Sequence, residues 1–265
     1  MKNALKIGTG FLASALLGAG CVTLPTPAAT QPVTHVQSPQ TEATGWQTVE
    51  RGMDRRVYTS STLQAAMIVY RLDPSRYDFH FETTSGTQTM AQWSAQFPQA
   101  ALIVNGVYFH DDNLPSGYLV SRGHRIGDRS FDLDKSGVID LTGGVHIYDT
   151  SVNPPKLSAF SDAAQSYPLF IKNGKPAIKE DSQKPARRSF IGKDTAGNVY
   201  IGVIPSAQIS LYQTMLMLGE TGIEWANVIN LDGGPSTGLY AHPAGNPEEL
   251  PSLFPIPNVL VVTRT

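Results

Sequence analysis

The sequence predicts a strand-rich globular fold with a few flanking helices. Its 265 residues include 24 glycines and 19 prolines, and only 16% of the residues are charged. This composition is typical of a protein rich in loops and short strands rather than of a helical bundle. From Trp46 onward, short apolar runs alternate with turn signals, which is the pattern of many short strands. The length fits one generous domain or two small ones.

The first folded elements are predicted from periodicity and breakers. Ala65–Tyr70 is apolar and is ended by Asp73-Pro74, and Tyr77–Glu82 alternates apolar and polar residues. Both patterns indicate strands. Met90–Phe97 has apolar residues at helical spacing and stops before a proline, which predicts a short helix. Ala101–Val104 is apolar throughout and predicts a buried strand.

Further along the chain, apolar runs bounded by turn signals predict more strands. They are Gly117–Val120, Val145–Tyr148, Leu169–Lys172, Ser189–Lys193, Val199–Ile204 and Val259–Val262. The best helix is Leu211–Leu218, where Ser210 and Gln213 fit an N-terminal capping box. That helix leads into the short apolar strand Ala226–Ile229.

The segment Asn230–Thr237 follows this strand at once and contains Asp232, Gly233 and Gly234. A carboxylate is costly inside a core unless it is paired, and a glycine pair lets the backbone approach a ligand closely. The segment therefore suits the lip of an active site. A tight turn, in which the Asn and Asp side chains bond their own backbone, is the alternative.

The N-terminus has the pattern of an export signal. Lys2 and Lys6 precede the apolar run Phe11–Leu17, which is too short to span a bilayer. Gly18–Cys21 then resembles the lipobox of bacterial lipoproteins, although Gly18 stands where that pattern usually has an aliphatic residue. We expect a signal peptide over residues 1–20, lipidation of Cys21, a flexible tether over residues 21–45 and one folded domain over residues 46–265. A plain secretory peptide is the alternative.

This pattern predicts a protein of the cell envelope that is bound to a membrane through a lipid anchor. Val22, rather than Asp, follows the cysteine, which resembles sorting to the outer membrane, facing the periplasm. Cys21 is the only cysteine, so a cysteine-based zinc site and an intrachain disulfide are excluded. The net charge of −2 and the absence of any block of five Lys or Arg residues argue against nucleic acid as a partner.

Four segments resemble the phosphodiester glycosidase family, in the same order along the chain. Asn230–Ser236 resembles its Asn-Leu-Asp-Gly-Gly-x-Ser signature, and Arg188–Gly192 its Arg-Thr-Ala-Ile-Gly segment. Asn105–Phe109 resembles Asn-Gly-Gly-x-Phe, with Val107 in place of the second glycine, and Leu114–Leu119 resembles Pro-x-Gly-Leu. The resemblance covers residues 60–263 and implies a mixed α/β (α+β) fold with a strand-rich mixed sheet.

The resemblance also implies a reaction, the hydrolysis of a sugar 1-phosphodiester at the anomeric carbon, with a glycan or sugar phosphate as substrate. Asp232 would be the carboxylate at the sugar, as nucleophile or as base, and Arg188 would bind the phosphate through its guanidinium fork. Retention and inversion are both open, because they depend on the separation of two carboxylates. Asp111, Asp112 and Glu220 are candidates for the second carboxylate.

Polar and glycine residues near Asp232 are the candidates for substrate binding: Asn105, Gly106, Asn230, Gly233, Gly234, Ser236 and Thr237. Turn capping is the alternative for the asparagines. His110 fits an acid, a metal ligand or an exposed loop. We expect no cofactor and no metal, because no His/Asp/Glu spacing demands a cation, although one bridging Asp232 and the phosphate is conceivable.

Two other functions are compatible with the same residues. Gly234–Gly238 fits the G-x-S-x-G motif of serine esterases, with Ser236 as nucleophile. In that motif the serine opens a helix and is followed along the chain by an acid and a histidine, whereas here His242 precedes Glu248 and Glu249 and no aspartate follows. The remaining alternative is a non-catalytic lipoprotein that binds envelope polysaccharide.

Overall fold

The computed structural model describes residues 45–127, 131–132, 134–151, 156–243 and 247–265. The predicted signal peptide, Cys21 and all but the last residue of the predicted tether lie outside the described residues. Within the described ranges the chain forms eighteen strands and two α-helices. No helix in these ranges is long and apolar enough to cross a bilayer.

The strands are β1 Gln47–Glu50, β2 Met53–Ser60, β3 Ala65–Leu72, β4 Tyr77–Gln88, β5 Ala100–Asn105, β6 Leu119–Ser121, β7 His124–Arg125, β8 Gly137–Asp140, β9 His146–Asp149, β10 Ala163–Ser166, β11 Leu169–Lys172, β12 Lys175–Pro176, β13 Ala186–Asp194, β14 Val199–Ile209, β15 Trp225–Asn230, β16 Leu239–Ala241, β17 Glu248–Leu250 and β18 Ile256–Arg264. The helices are α1 Met90–Gln96 and α2 Leu211–Gly219. Short 3₁₀ turns cover Leu157–Ala159 and Gly234–Ser236.

Three antiparallel sheets make up the fold. Their strand orders are β1-β2-β3-β14-β13-β15-β11-β12, β7-β6-β10-β8-β9 and β17-β16-β5-β18-β4. Every pairing between described strands is antiparallel. The prediction of a strand-rich fold with few helices is confirmed. The predicted mixed sheet is wrong, and the mixed α/β class is corrected, because the protein is mostly β. Parallel neighbours would need crossover connections, usually helices, and the described chain has only two α-helices.

Each predicted strand overlaps an observed one, and Leu169–Lys172 matches β11 residue for residue. Several short strands were not predicted because their residues have low strand propensity. β10, with the sequence Ala-Ala-Gln-Ser, is one of them, yet it is buried between β6 and β8. Its neighbours, rather than its own sequence, hold it in the sheet.

Both predicted helices form and begin with a capping box. In α2 the Ser210 Oγ accepts from the Gln213 N–H at 3.1 Å, and the Gln213 Oε1 accepts from the Ser210 N–H at 2.9 Å. Thr89 and Gln92 make the same exchange at the start of α1. These bonds satisfy two of the N–H groups that every helix start leaves unpaired.

The main core lies where the three sheets meet. One apolar cluster joins Met53 of β2, Leu102 of β5 and Ile139 of β8, all without exposed surface. The chain passes from β15 of the eight-stranded sheet to β16 of a five-stranded sheet through Asn230–Thr237, which we call the lip segment. The lip segment therefore lies at a junction of two sheets.

Candidate active site

The backbone of Asp232 is held from two sheets. Its N–H donates to the Gly106 carbonyl at 2.9 Å, just beyond the end of β5. Its carbonyl accepts from the Asn105 Nδ2 at 2.6 Å and from the Ser189 Oγ of β13 at 2.7 Å. These three hydrogen bonds fix the position of the Asp232 backbone, from which the side chain extends. The tertiary structure thus brings together three of the candidate residues, Asn105, Gly106 and Asp232.

The Asp232 carboxyl is partly buried, and burial raises its pKa above the ordinary value. The Ser236 hydroxyl and the Gly233 N–H, which donates to the Asp232 Oδ1 at 2.8 Å, act in the opposite direction and favour the charged form. The tight-turn interpretation holds for Asp232, whose side chain accepts from the next backbone N–H, and Gly234–Ser236 is a 3₁₀ turn. It does not hold for Asn230, whose side chain donates to Tyr108 and Tyr167 instead.

Arg188 lies against the lip segment from β13. Its Nε donates to the Ile209 carbonyl at 3.0 Å and its Nη2 to the Lys184 carbonyl at 2.6 Å, so the guanidinium plane is fixed. A Cβ placed on Gly233 would lie 3.5 Å from the Arg188 Nη1. The lip segment therefore passes beside the guanidinium, and the closest neighbour of a Cβ at Gly233 would be the Arg187 carbonyl at 3.0 Å. Burial lowers the pKa of Arg188, because it penalises the charged form.

The neighbouring Arg187 has different partners. It is also buried, and its Nη2 donates to the Pro251 carbonyl at 3.1 Å, in the connection between β17 and β18. Burial lowers its pKa as well. Two adjacent arginines thus serve different segments: Arg188 adjoins the lip segment and Arg187 fastens the β17–β18 connection.

Tyr108 lies within electrostatic range of both charged candidates, Asp232 and Arg188. The sequence analysis did not single it out. Burial raises its pKa most, the Asp232 charge raises it further, and Arg188 lowers it. Its hydroxyl accepts from the Asn230 Nδ2, which also donates to the Tyr167 carbonyl at 3.1 Å. The Tyr108 and Tyr167 rings lie with centroids 4.7 Å apart. The sequence contained a signal for Tyr108, because this residue lies in the Asn105–Phe109 segment that resembles the family. It contained none for Tyr167.

Gly106 is required by packing. A Cβ placed there would lie 1.9 Å from the Asn258 Oδ1. Asn258, buried in β18, accepts from the Val107 N–H at 2.7 Å and donates its Nδ2 to the Val107 carbonyl at 3.1 Å. Val107 itself is 2% exposed and belongs to the main core. The departure from the family pattern at Val107 is therefore accommodated, because its side chain points away from the turn into apolar surroundings.

The remaining substrate-binding candidates also lie around the lip segment. Asn230 and Thr237 have no exposed surface, and the Asn230 Oδ1 and Thr237 Oγ1 have no hydrogen-bond partner among the described residues. The Asn105 Oδ1 accepts from the Gly238 N–H at 3.2 Å. Gly234 adopts a φ of +60°, a conformation that favours glycine.

The candidates for a second carboxylate lie on the surface. Asp111, Asp112 and Glu220 are exposed, and none of them is hydrogen bonded to Asp232. His110 is exposed too, in a turn where its N–H donates to the Leu114 carbonyl at 3.0 Å. Within the described ranges, no three His, Cys, Asp or Glu side chains lie close enough to hold a metal ion.

The surroundings of Ser236 differ from those of an esterase nucleophile. Ser236 ends a 3₁₀ turn and the chain continues into β16, whereas the serine of the G-x-S-x-G elbow opens a helix. His242 stacks on Tyr240 with ring centroids 6.1 Å apart. No described histidine is hydrogen bonded to Ser236, whose hydroxyl acts on the Asp232 carboxylate instead.

A partly buried carboxylate, a guanidinium held by two backbone carbonyls and neutral amides lie at one junction of sheets. Such groups suit a polar, anionic ligand. Residues 98–263 match the phosphodiester glycosidase family. The chain belongs to this family, which is a family of hydrolases. The lip segment, Arg188 and Asn105 all fall inside the matched range. No curated protein matches the chain in sequence.

The solved structures that share the fold include the following two. A hypothetical protein from Synechocystis has a TM-score of 0.60 and 16% identity, over 84% of this chain and 64% of that one, so this chain spans less than two thirds of its length. The catalytic domain of zebrafish N-acetylglucosamine-1-phosphodiester alpha-N-acetylglucosaminidase, auto-inhibited by its pro-peptide, has a TM-score of 0.58 and 13% identity, over 80% of this chain and 82% of that one. At these identities the likeness is one of fold.

Proposed function

We propose that the protein is an extracytoplasmic hydrolase that cleaves a sugar 1-phosphodiester in an envelope or exogenous glycan. The observation that carries this proposal is the position of Arg188 beside the lip segment that contains Asp232, with Tyr108 under the electrostatic influence of both. The reaction needs such an arrangement, because negative charge grows on the phosphate while positive charge grows at the anomeric carbon.

In the proposed mechanism, Arg188 binds the phosphate and Asp232 acts at the anomeric carbon. The guanidinium stabilises the phosphomonoester as it leaves, so the leaving group needs little protonation. Asp232, as nucleophile or as base for water, must be ionised to act. The Gly233 N–H and the Ser236 hydroxyl favour that ionised form against the effect of burial.

The neutral groups around the lip segment are proposed to orient the substrate. Ser236 is partly exposed and offers a hydroxyl of the kind that binds sugar hydroxyls or phosphate oxygens. Asn230 and Thr237 have no exposed surface, so they are proposed to shape the lip segment from its buried side rather than to contact the substrate. Asn105, Gly106 and Gly234 are proposed to act indirectly, because they set the backbone path of the lip segment around Asp232. Positioning of this kind supplies a large share of enzymatic rate enhancement.

Hydrolysis of the methyl phosphodiester of N-acetylglucosamine 1-phosphate tests this function. We expect the purified wild-type protein to release the sugar, and Asp232→Asn to reduce the rate at least about a thousandfold, since it removes the charge and keeps the shape. Asp78→Asn, at an exposed aspartate on β4, is the matched control and should keep the wild-type rate. A wild-type protein that binds envelope glycan and hydrolyses no sugar phosphodiester would favour the non-catalytic alternative.

The location is a separate part of the proposal and is supported by the Lys2–Cys21 pattern alone. We expect a lipoprotein anchored through Cys21 in the outer membrane and facing the periplasm. Labelling of growing cells with a fatty acid should mark the wild-type protein and leave Cys21→Ser unmarked. Label that persists on the Cys21→Ser protein would exclude this anchor.

A further inference from the structure

Two neighbouring side chains, Leu253 and Phe254, are the most exposed large apolar residues of the described chain. Each has 64% of its surface exposed. We call them the apolar pair. A single exposed apolar residue needs no explanation, because it is common on protein surfaces. The apolar pair differs, since it lies in the connection between β17 and β18, which contacts the candidate active site.

The contacts of this connection place it at the arginine end of the site. The Leu253 N–H donates to the Pro235 carbonyl of the lip segment at 2.7 Å. Two residues earlier, the Pro251 carbonyl accepts from the Arg187 Nη2 at 3.1 Å. Gly233 lies beside both arginines, since a Cβ there would be 3.0 Å from the Arg187 carbonyl and 3.5 Å from the Arg188 Nη1. The apolar pair therefore lies in a connection that is bonded to the lip segment, and the lip segment runs beside Arg188.

The size of the apolar pair indicates what covers it. Two side chains of this kind, each 64% exposed, present on the order of 250 Å² of surface. A stable protein interface covers about 800 Å² on each partner, which is several times more. An alkyl chain attached to the phosphate needs only a small apolar surface of this kind near the lip segment.

We propose that the apolar pair binds the alcohol part of the substrate, and that this alcohol is a long apolar chain. This inference rests on the proposed function. In the hydrolysis, the oxygen of water bonds to the anomeric carbon, the bond from that carbon to the phosphate oxygen breaks, and its electron pair leaves with the oxygen. The products are the free sugar and an alkyl phosphate, with the protons of water shared between them and the solvent. The alkyl phosphate remains on the arginine side, where the apolar pair lies.

Binding of two phosphomonoesters tests this substrate class without requiring turnover. Calorimetry would compare octyl phosphate, below its micelle concentration, with methyl phosphate. We expect the wild-type protein to bind octyl phosphate at least about tenfold more tightly, since covering roughly 60 Å² of apolar surface is sufficient for that ratio. The Leu253→Ser/Phe254→Ser variant should lose this preference. Leu216→Ser, at a residue of α2 that is 42% exposed, is the matched control and should keep it.

Equal binding of the two phosphates by the wild-type protein, or a preference that survives in the double variant, would overturn the inference. Hydrolysis separates this failure from failure of the proposed function. If the protein hydrolyses the methyl phosphodiester but its binding of octyl phosphate does not depend on the apolar pair, the proposed function stands and the long-chain substrate is excluded. A protein that prefers octyl phosphate through the apolar pair but hydrolyses no sugar phosphodiester loses the proposed function instead.

Discussion

The Asn105 amide nitrogen donates to the Asp232 carbonyl over 2.6 Å, although 127 residues separate the two along the chain. Asn105 ends β5 and Asp232 follows the end of β15, so this bond joins strand ends from two different sheets. The Ser189 hydroxyl donates to the same carbonyl at 2.7 Å. The position of the catalytic candidate therefore depends on three parts of the chain that meet only in the folded protein.

Asn105→Ala should cost stability and activity together. It removes one donor to the Asp232 carbonyl and leaves the buried Gly238 N–H unpaired, which costs about 1–3 kcal/mol of unfolding free energy. Ser189→Ala should cost less, since Asn105 still bonds the carbonyl. Denaturant unfolding and hydrolysis rates would be measured for the Asn105→Ala/Ser189→Ala protein as well. Its losses of unfolding free energy and of rate should exceed the sum of the losses in the single variants, as expected for two donors to one acceptor. Additive losses would contradict a shared role.

Asp232 should set the acid limb of the pH profile. Its pKa in the folded protein is raised, so the ionised form that acts in catalysis is lost as the pH falls through that raised value. The rate should therefore fall at a higher pH than for an exposed aspartate. Measurement of kcat/KM against pH with the methyl phosphodiester would reveal the limb. A profile that stays flat down to the ordinary aspartate range would count against Asp232 as the acting carboxylate.

Ser236→Ala should reduce hydrolysis by about tenfold or less, because it removes one neutral hydrogen bond worth roughly 0.5–1.5 kcal/mol. The same change removes a group that lowers the pKa of Asp232, so the acid limb should move to higher pH. An esterase nucleophile would behave differently. Its loss would cost many thousandfold, and a fluorophosphonate would label Ser236 covalently in the wild-type protein.

Gly106→Ala should destabilise the fold through one identified clash, since the new Cβ would lie 1.9 Å from the Asn258 Oδ1. Overpacking of this kind typically costs about 1–3 kcal/mol. Asn258→Ala alone also costs stability, because Val107 loses two hydrogen bonds. The two changes together should cost less than their sum in denaturant unfolding. If the losses add, the glycine is needed for another reason.

His80 should make the unfolding free energy rise more steeply with pH. Burial is the main cause that lowers its pKa from 6.5 to about 4. Between these values the unfolded chain binds more protons than the folded one, so the unfolding free energy rises with pH across this window. His80→Phe should remove up to about 1.4 kcal/mol per pH unit from that slope. His124→Phe, at an exposed histidine, is the control and should leave the slope unchanged.

Asp162 has the opposite effect on the unfolding free energy in the same pH range. Burial raises the pKa of its carboxyl from 3.8 to about 6, so the folded protein binds more protons between these values and loses stability as the pH rises. In the His80→Phe protein this contribution is no longer offset. The unfolding free energy should then fall from pH 4 to pH 6 relative to the wild-type protein. A difference of the opposite sign would show that His80 is not buried in its neutral form.

The sequence determined the elements whose signals are local. The capping box of α2 needs only Ser210 and Gln213, three residues apart, and β11 needs only an apolar run bounded by turn signals. The lip segment was also found from the sequence, because an acidic residue followed by two glycines at a strand end is unusual for a core. These features were predicted without knowledge of their neighbours in space.

The tertiary structure decided what depends on neighbours far away in the chain. Strand direction follows from the pairing of distant segments, so the antiparallel, mostly β character did not follow from the apolar runs. β10 is a strand because β6 and β8 flank it. Tyr108 became part of the site only when Asn230 and Asp232 were placed beside it. Gly106 is fixed by Asn258, which lies 152 positions later, because the turn and β18 share a space too small for one more carbon atom.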